Sequence, residues 1–186
     1  MKILLDCEES YVMDCEKVEI QKMNAEILDA TCGSRMMWFN KENEHALFVD
    51  KRYVDEMVCC NGRKFRCKPD IVTDFRKLPF SDNTFSLVVM DPPHLIRAGE
   101  KSIMRLKYGI LDENWEKEIH DGFVECMRVL RVHGTLIFKW SEVQIPTRKV
   151  IKAIGTEPLF GHRSGKKSKT HWLVFMKFNK EMVNNA

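Results

Sequence analysis

Little in this sequence calls for a special scaffold. None of its 186 residues belong to an apolar run near the roughly 20 that a membrane span needs. The start, Met1 to Asp6, is a short apolar run followed by the acids Asp6, Glu8 and Glu9. A secretory signal needs a longer apolar stretch behind a positive flank, so none is expected, and the cytoplasm is the expected compartment. The 7 cysteines form no framework: Cys59, Cys60 and Cys67 cluster, yet no pair has the C-x-x-C spacing of a zinc knuckle. They read as reduced thiols, and no metal is called for. Neither charge sign dominates at a net +3, so any nucleic-acid surface must be a local patch. What is present is enough apolar residue, 44%, to bury the core of one domain over residues 1–186.

Short apolar runs ending in acids recur: Glu26 to Asp29, Ala46 to Asp50 (ALFVD), Asp70 to Asp74 (DIVTD) and Phe85 to Asp91 (FSLVVMD), followed by Gly134 to Trp140 (GTLIFKW). Each is too short and too β-branched or aromatic for a helix. Before the last lies an amphipathic helix with Trp115, Ile119, Phe123, Cys126, Met127 and Leu130 on one face. Asp112 and Asn114 are its candidate caps, and Gly134 is expected to close the turn after it. This order predicts an α/β fold with a parallel, doubly wound sheet. Thr156 to Phe160 and Thr170 to Phe178 read as two strands joined by the loop Gly161 to Lys169, hence antiparallel.

In such a sheet ligands bind beyond the carboxyl ends of the strands. Those ends carry Asp29, Asp50, Asp74 and Asp91. The first turn, Asp29-Ala30-Thr31-Cys32-Gly33-Ser34, has small residues that let a ligand approach the backbone, and Gly33 can take a positive φ. Gly33 is its one glycine, so the G-x-G-x-x-G pattern of a pyrophosphate site is missing. Asp50 is placed to accept from ribose hydroxyls and Asp74 from an adenine amino group. A ribose and an adenine without a pyrophosphate describe an adenosyl compound.

Asp91-Pro92-Pro93-His94 follows a buried strand directly. The prolines stiffen the turn. An amine on an aromatic ring is a poor nucleophile because its lone pair is delocalised. The Asp91 carboxylate and the Pro92 carbonyl could hold its two N–H groups and turn the lone pair toward a methyl donor. His94 offers a ring for stacking. Taken in order, ILDATCGS, the acid of LFVDKR, IVTDF and LPFSDNTFSLVVMDPPH resemble the motifs of class I S-adenosylmethionine-dependent methyltransferases. DPPH resembles the [DNS]-P-P-[YFW] signature of those that methylate amino nitrogens, adenine N6 in DNA above all. The likeness, from about Glu26 to Phe178, extends to the small single-domain enzymes of phages and mobile elements in Gram-positive bacteria. It implies a Rossmann-like sheet ending in an antiparallel strand. It also implies S-adenosyl-L-methionine as cofactor, held by Asp29, Ala30, Thr31, Cys32, Gly33, Asp50, Asp74 and Asp91. Catalysis would fall to Asp91, Pro92, Pro93 and His94. Ser34 stands where many relatives have glycine, and His94 replaces the usual large aromatic.

Two basic stretches complete the reading. Arg97 to Tyr108 carries Arg97, Lys101, Arg105 and Lys107 and reads as a lid or channel wall. The loop with Arg163, Lys166, Lys167 and Lys169 stands beside His162, His171 and Trp172, a mix that suits single-stranded or flipped nucleic acid. Lys139 and Trp140 are candidate pocket walls. The expected partner is nucleic acid, DNA ahead of RNA. With little room for target recognition, a homodimer or a protein partner would supply specificity. A protein amide or a small amine is the alternative acceptor, and a non-catalytic binding module the remaining one. A zinc deaminase is excluded, since no P-C-x-x-C segment exists.

Overall fold

The structure, a computed structural model, describes residues 25–58, 62, 64–100, 102–163 and 168–179, with the main chain alone of Arg163. Among the described residues nine strands and three helices follow one another. Strands β1 (Ile27–Asp29), β2 (Ala46–Asp50), β3 (Val54–Val58), β4 (Lys64–Cys67), β5 (Ile71–Val72) and β6 (Phe85–Met90) come first. Helices α1 (Ile103–Tyr108) and α2 (Trp115–Val129) precede β7 (Leu130–Ser141), and α3 (Thr147–Ile154) precedes β8 (Phe160–Arg163) and β9 (Thr170–Met176). The 7-stranded sheet has the order β5-β2-β1-β6-β7-β9-β8, with β3 and β4 forming a separate antiparallel pair. Pairings from β5 through β7 are parallel, and β9 runs antiparallel to both β7 and β8. The order steps outward from β1 in both directions, so the switch point lies between β1 and β6.

The amphipathic stripe read from the sequence is the core-facing side of α2. Ile119, Phe123 and Cys126 are buried against the sheet, with Phe123 edge-on to Phe175 at 4.9 Å and the Cys126 thiol 3.9 Å from Met90 Sδ. Val150 and Ile154 of α3 extend the same layer. The α2 cap is Asn114, whose N–H donates to Asp112 Oδ1 at 2.7 Å, though no side chain caps the helix. Gly134 does not close a turn. The chain leaves α2 straight into β7 at Leu130 and bends at His133, which has φ 63°. Likewise β8 begins at Phe160 rather than ending there, so it takes up the first part of the expected loop.

The winding is less regular than alternation predicts. Among the described residues no helix joins β1 to β2, β2 to β5 or β5 to β6; the second connection carries the β3–β4 hairpin instead. Side chains hold the first connection in place. Arg35 donates to the carbonyls of Lys41 (2.6 Å) and Lys68 (2.8 Å) and to Asp70 (3.2 Å), and its guanidinium lies 3.9 Å from the centroid of Phe48. Trp38 donates its indole N–H to Asp29 at 2.7 Å and meets Phe48 edge-on at 4.9 Å. A buried guanidinium paired through both terminal nitrogens does here what a packed helix would otherwise do.

Candidate active site

The carboxyl ends of β1, β2, β6 and β7 open into one cavity of about 180 Å³. Ala30, Thr31, Cys32, Gly33, Asp50, Asp91, Pro93 and Lys139, all read from the sequence, line it. Parallel pairing of β1 with β2 and β6 is what brings their strand-end turns together. The turn is pinned through its main chain, Ala30 N–H donating to Val89 at 2.9 Å and Cys32 N–H to Val49 at 2.8 Å. Thr31 ties it to the DPPH segment, its hydroxyl accepting the Asp91 N–H at 2.6 Å. Gly33 has φ 51°, and nothing lies within 4 Å of where a Cβ would stand, so its face is open.

Asp50 is almost fully buried. Its Oδ2 accepts the Gly33 N–H at 2.9 Å, and its Oδ1 accepts the Arg52 N–H at 3.0 Å and Nε–H at 3.1 Å. Arg52 Nη2 also reaches Oδ2, at 3.5 Å, so all of the roughly four lone-pair positions are occupied and that long bond is the weakest of them. Arg52 reaches further, donating from Nη1 to the Leu106 carbonyl (3.2 Å) and from Nη2 to that of Lys107 (3.1 Å). It thereby couples the end of β2 to the end of α1.

At the other end Asp91 is ion-paired with Lys139, which also stands 5.8 Å from the Trp172 ring. Burial raises the Asp91 carboxyl above its ordinary value, with Lys139 pulling the other way. Asp29 lies beneath the turn, fully buried, and burial pushes its carboxyl up to about 7 despite the Trp38 and Thr31 hydrogen bonds.

Several expected residues stand elsewhere. Asp74 is outside the cavity wall. Arg76 binds its carboxylate through Nε (2.9 Å) and Nη2 (2.6 Å), which holds that carboxyl below its ordinary value. Its neighbour Phe75 lines the cavity, as does Glu118 of α2, whose carboxyl burial raises. Pro92 is buried, and His94 is 4% exposed, between Tyr108 (5.2 Å between centroids) and Trp140 (6.4 Å). No base can stack on a ring so enclosed. Neither of its ring nitrogens finds a partner of hydrogen-bonding geometry among the described residues, and burial lowers its basicity. Trp140 is not a pocket wall: successive strand residues face opposite ways, so with Lys139 toward the cavity Trp140 is in the core, its indole N–H donating to Ile145 at 3.0 Å. Arg97 is exposed outside the cavity, its N–H donating to Gln144 at 3.0 Å, and Lys169 is exposed on the β9 side. Lys101, Lys166, Lys167 and the Arg163 side chain lie outside the described residues. Sequence reasoning did not single out Arg52, Phe75, Glu118 or Gly109, and no local pattern marks them.

No family model matches the chain, and no curated protein does either. Solved structures do. A TehB-like S-adenosylmethionine-dependent methyltransferase from Corynebacterium glutamicum aligns with TM-score 0.50 and 19% identity, over 88% of this chain and 87% of that one. The fold is the class I methyltransferase fold. The [4+2]-cyclase SpnF shares it, with TM-score 0.51 and 12% identity over 88% of this chain and 79% of its own. A methyltransferase fold therefore hosts more than one chemistry, and the reaction has to be argued from the site.

Proposed function

We propose that this chain is an S-adenosylmethionine-dependent N-methyltransferase acting on the amino nitrogen of a nucleobase, adenine N6 in DNA ahead of RNA. The observation that carries the reading is the pairing, in one cavity, of the Gly33 turn and Asp50 with Asp91 and Pro93. The first two suit the cofactor: an open glycine face against which it can lie, and a buried carboxylate whose long bond to Arg52 Nη2, at 3.5 Å, a ribose hydroxyl would replace. Bound there, S-adenosylmethionine supplies an electrophilic methyl. Asp91 accepts an N–H of the incoming amine, which orients the lone pair and stabilises the charge that develops on nitrogen. The amine lone pair forms the new N–C bond as the methyl–sulfur bond breaks, with its electrons passing to sulfur. A carboxyl raised by burial is suited to receive the released proton. Lys139 keeps the buried carboxylate charged before the acceptor arrives.

Lys51 and Lys107 at the cavity rim favour an acceptor that carries phosphate over a small cationic amine. The hairpin carrying Arg163, Lys166, Lys167 and Lys169 would hold more of the strand, and a homodimer or partner protein would add specificity. The whole of residues 1–186 would act as one domain in the cytoplasm. Mass spectrometry of nucleosides from DNA and RNA of expressing and control cells tests the proposal. It expects N6-methyladenine in DNA; no new methylated nucleoside in either pool would overturn it.

A further inference from the structure

The enclosure of His94 leaves the acceptor without the ring that the DPPH segment was expected to provide. We infer that Tyr108, contributed by α1, is the aromatic face on which the acceptor base lies, with His94 behind it as a positioning residue. The inference rests on the nucleobase reading of the same cavity. Among the described residues two aromatic side chains line that cavity, Phe75 and Tyr108. Phe75 is 4% exposed and wedged on α2, its ring so close to Gly122 that an added Cβ there would stand 2.2 Å from it. Tyr108 is half-buried, and the adjoining Gly109 lies on the Pro93 ring, 3.6 Å from the position of an added Cβ to Pro93 Cγ.

Three contacts fix that ring in a stretch the sequence marked as a lid. Arg52, anchored on Asp50, donates to the carbonyls of Leu106 and Lys107 immediately before it. Gly109 follows with φ 77° and ψ −169°, a conformation that side-chain-bearing residues scarcely adopt, and it turns the chain back along Pro93. His94 meets the ring at 5.2 Å between centroids, tilted by 56°, and itself meets the core ring of Trp140 edge-on at 6.4 Å. A flat support held this way limits the acceptor to the plane in which Asp91 can reach its amine. The anchor through Arg52 also links the cofactor end to the acceptor end, since the carboxylate that fixes Tyr108 is the one assigned to the ribose.

The test uses the full chain, labelled S-adenosylmethionine and single-stranded DNA and RNA oligonucleotides containing adenine. Tyr108→Leu is expected to lower kcat/KM by about 5- to 150-fold, the range of base–aromatic stacking. Tyr108→Phe is expected to stay within a few-fold of the unmutated chain, and both are expected to keep its affinity for S-adenosylmethionine. Tyr108→Leu with unchanged kcat/KM would overturn the inference, as would a Phe variant as impaired as the Leu variant or a loss of cofactor affinity in both. A second measurement needs no mutation: an oligonucleotide bearing 8-azidoadenine should photolabel the peptide that contains Tyr108, and labelling confined to other peptides would overturn it. If the unmutated chain methylates none of the oligonucleotides, the nucleobase reading fails and this inference with it. If it methylates them while Tyr108→Leu does so equally well, the inference alone fails.

Discussion

Asp50 and Asp91 both stand just at or beyond the end of a parallel strand and both face the cavity, yet they are held differently. Asp50 is fixed by main-chain N–H groups and Arg52, a set of donors that stays in place whatever binds. Asp91 depends on one lysine ammonium in a setting whose burial disfavours its charge. The first arrangement makes a fixed recognition point. The second leaves a carboxylate whose burial favours uptake of a proton, a setting that suits the transfer role proposed for it.

Removing each carboxylate separates these roles. Asp91→Ala is expected to cost the most, lowering turnover about a hundredfold or more at saturating acceptor, with S-adenosylmethionine affinity kept. Transfer of a labelled methyl group measures the first and calorimetry the second; retained turnover would remove Asp91 from the chemistry. Asp50→Ala should act on binding, weakening S-adenosylmethionine by about 1–3 kcal/mol. Unchanged affinity by calorimetry would show that the two ends do not differ in the way described.

Asp29 sharpens the contrast, because it is a third strand-end acid and lies under the turn rather than in the cavity. Its carboxyl is raised from 3.8 to about 7. Below that window it is protonated both folded and unfolded. Within the window the folded state holds the proton and the unfolded state does not, so stability falls as pH rises through it, by up to about 1.4 kcal/mol per pH unit. Asp29→Asn should lack that slope. Denaturant titrations of both chains between pH 4 and about 7.5 check this; parallel pH profiles would assign the wild-type slope to other groups. The smallest effect is expected at His94. Replacing a buried imidazole, whose ring nitrogens have at most a poorly aligned contact with the Pro92 main chain, with the apolar ring of His94→Phe should leave the melting temperature unchanged or raise it. A clear fall would reveal a partner for one ring nitrogen.

Much of this architecture was legible in the chain itself. Short apolar runs ending in acids placed β2 and β6, because a buried parallel strand leaves an uninterrupted apolar record. The spacing of Ile119, Phe123 and Cys126 placed α2. The helix-free connection between β1 and β2 was not legible, because it depends on Arg35 reaching Lys68 and Asp70 from another part of the sequence. Nor was α3, whose 8 residues, Thr147–Ile154, are too few for a helical period to stand out from the chain.

The sequence by itself determined that Gly33, Asp50 and Asp91 would meet, since strand ends at a switch point have nowhere else to go. Strand alternation also meant that Lys139 and Trp140, both read as pocket walls, could not both face the cavity. Only the tertiary structure decided which of the two would face the cavity, because that depends on the side of the sheet on which α2 and α3 pack. It alone also decided that Tyr108 rather than His94 would line the cavity. The order of residues along the chain sets Tyr108 apart from the Asp91-Pro92-Pro93 turn, and the contacts from Arg52, Gly109 and Pro93 are what bring it there.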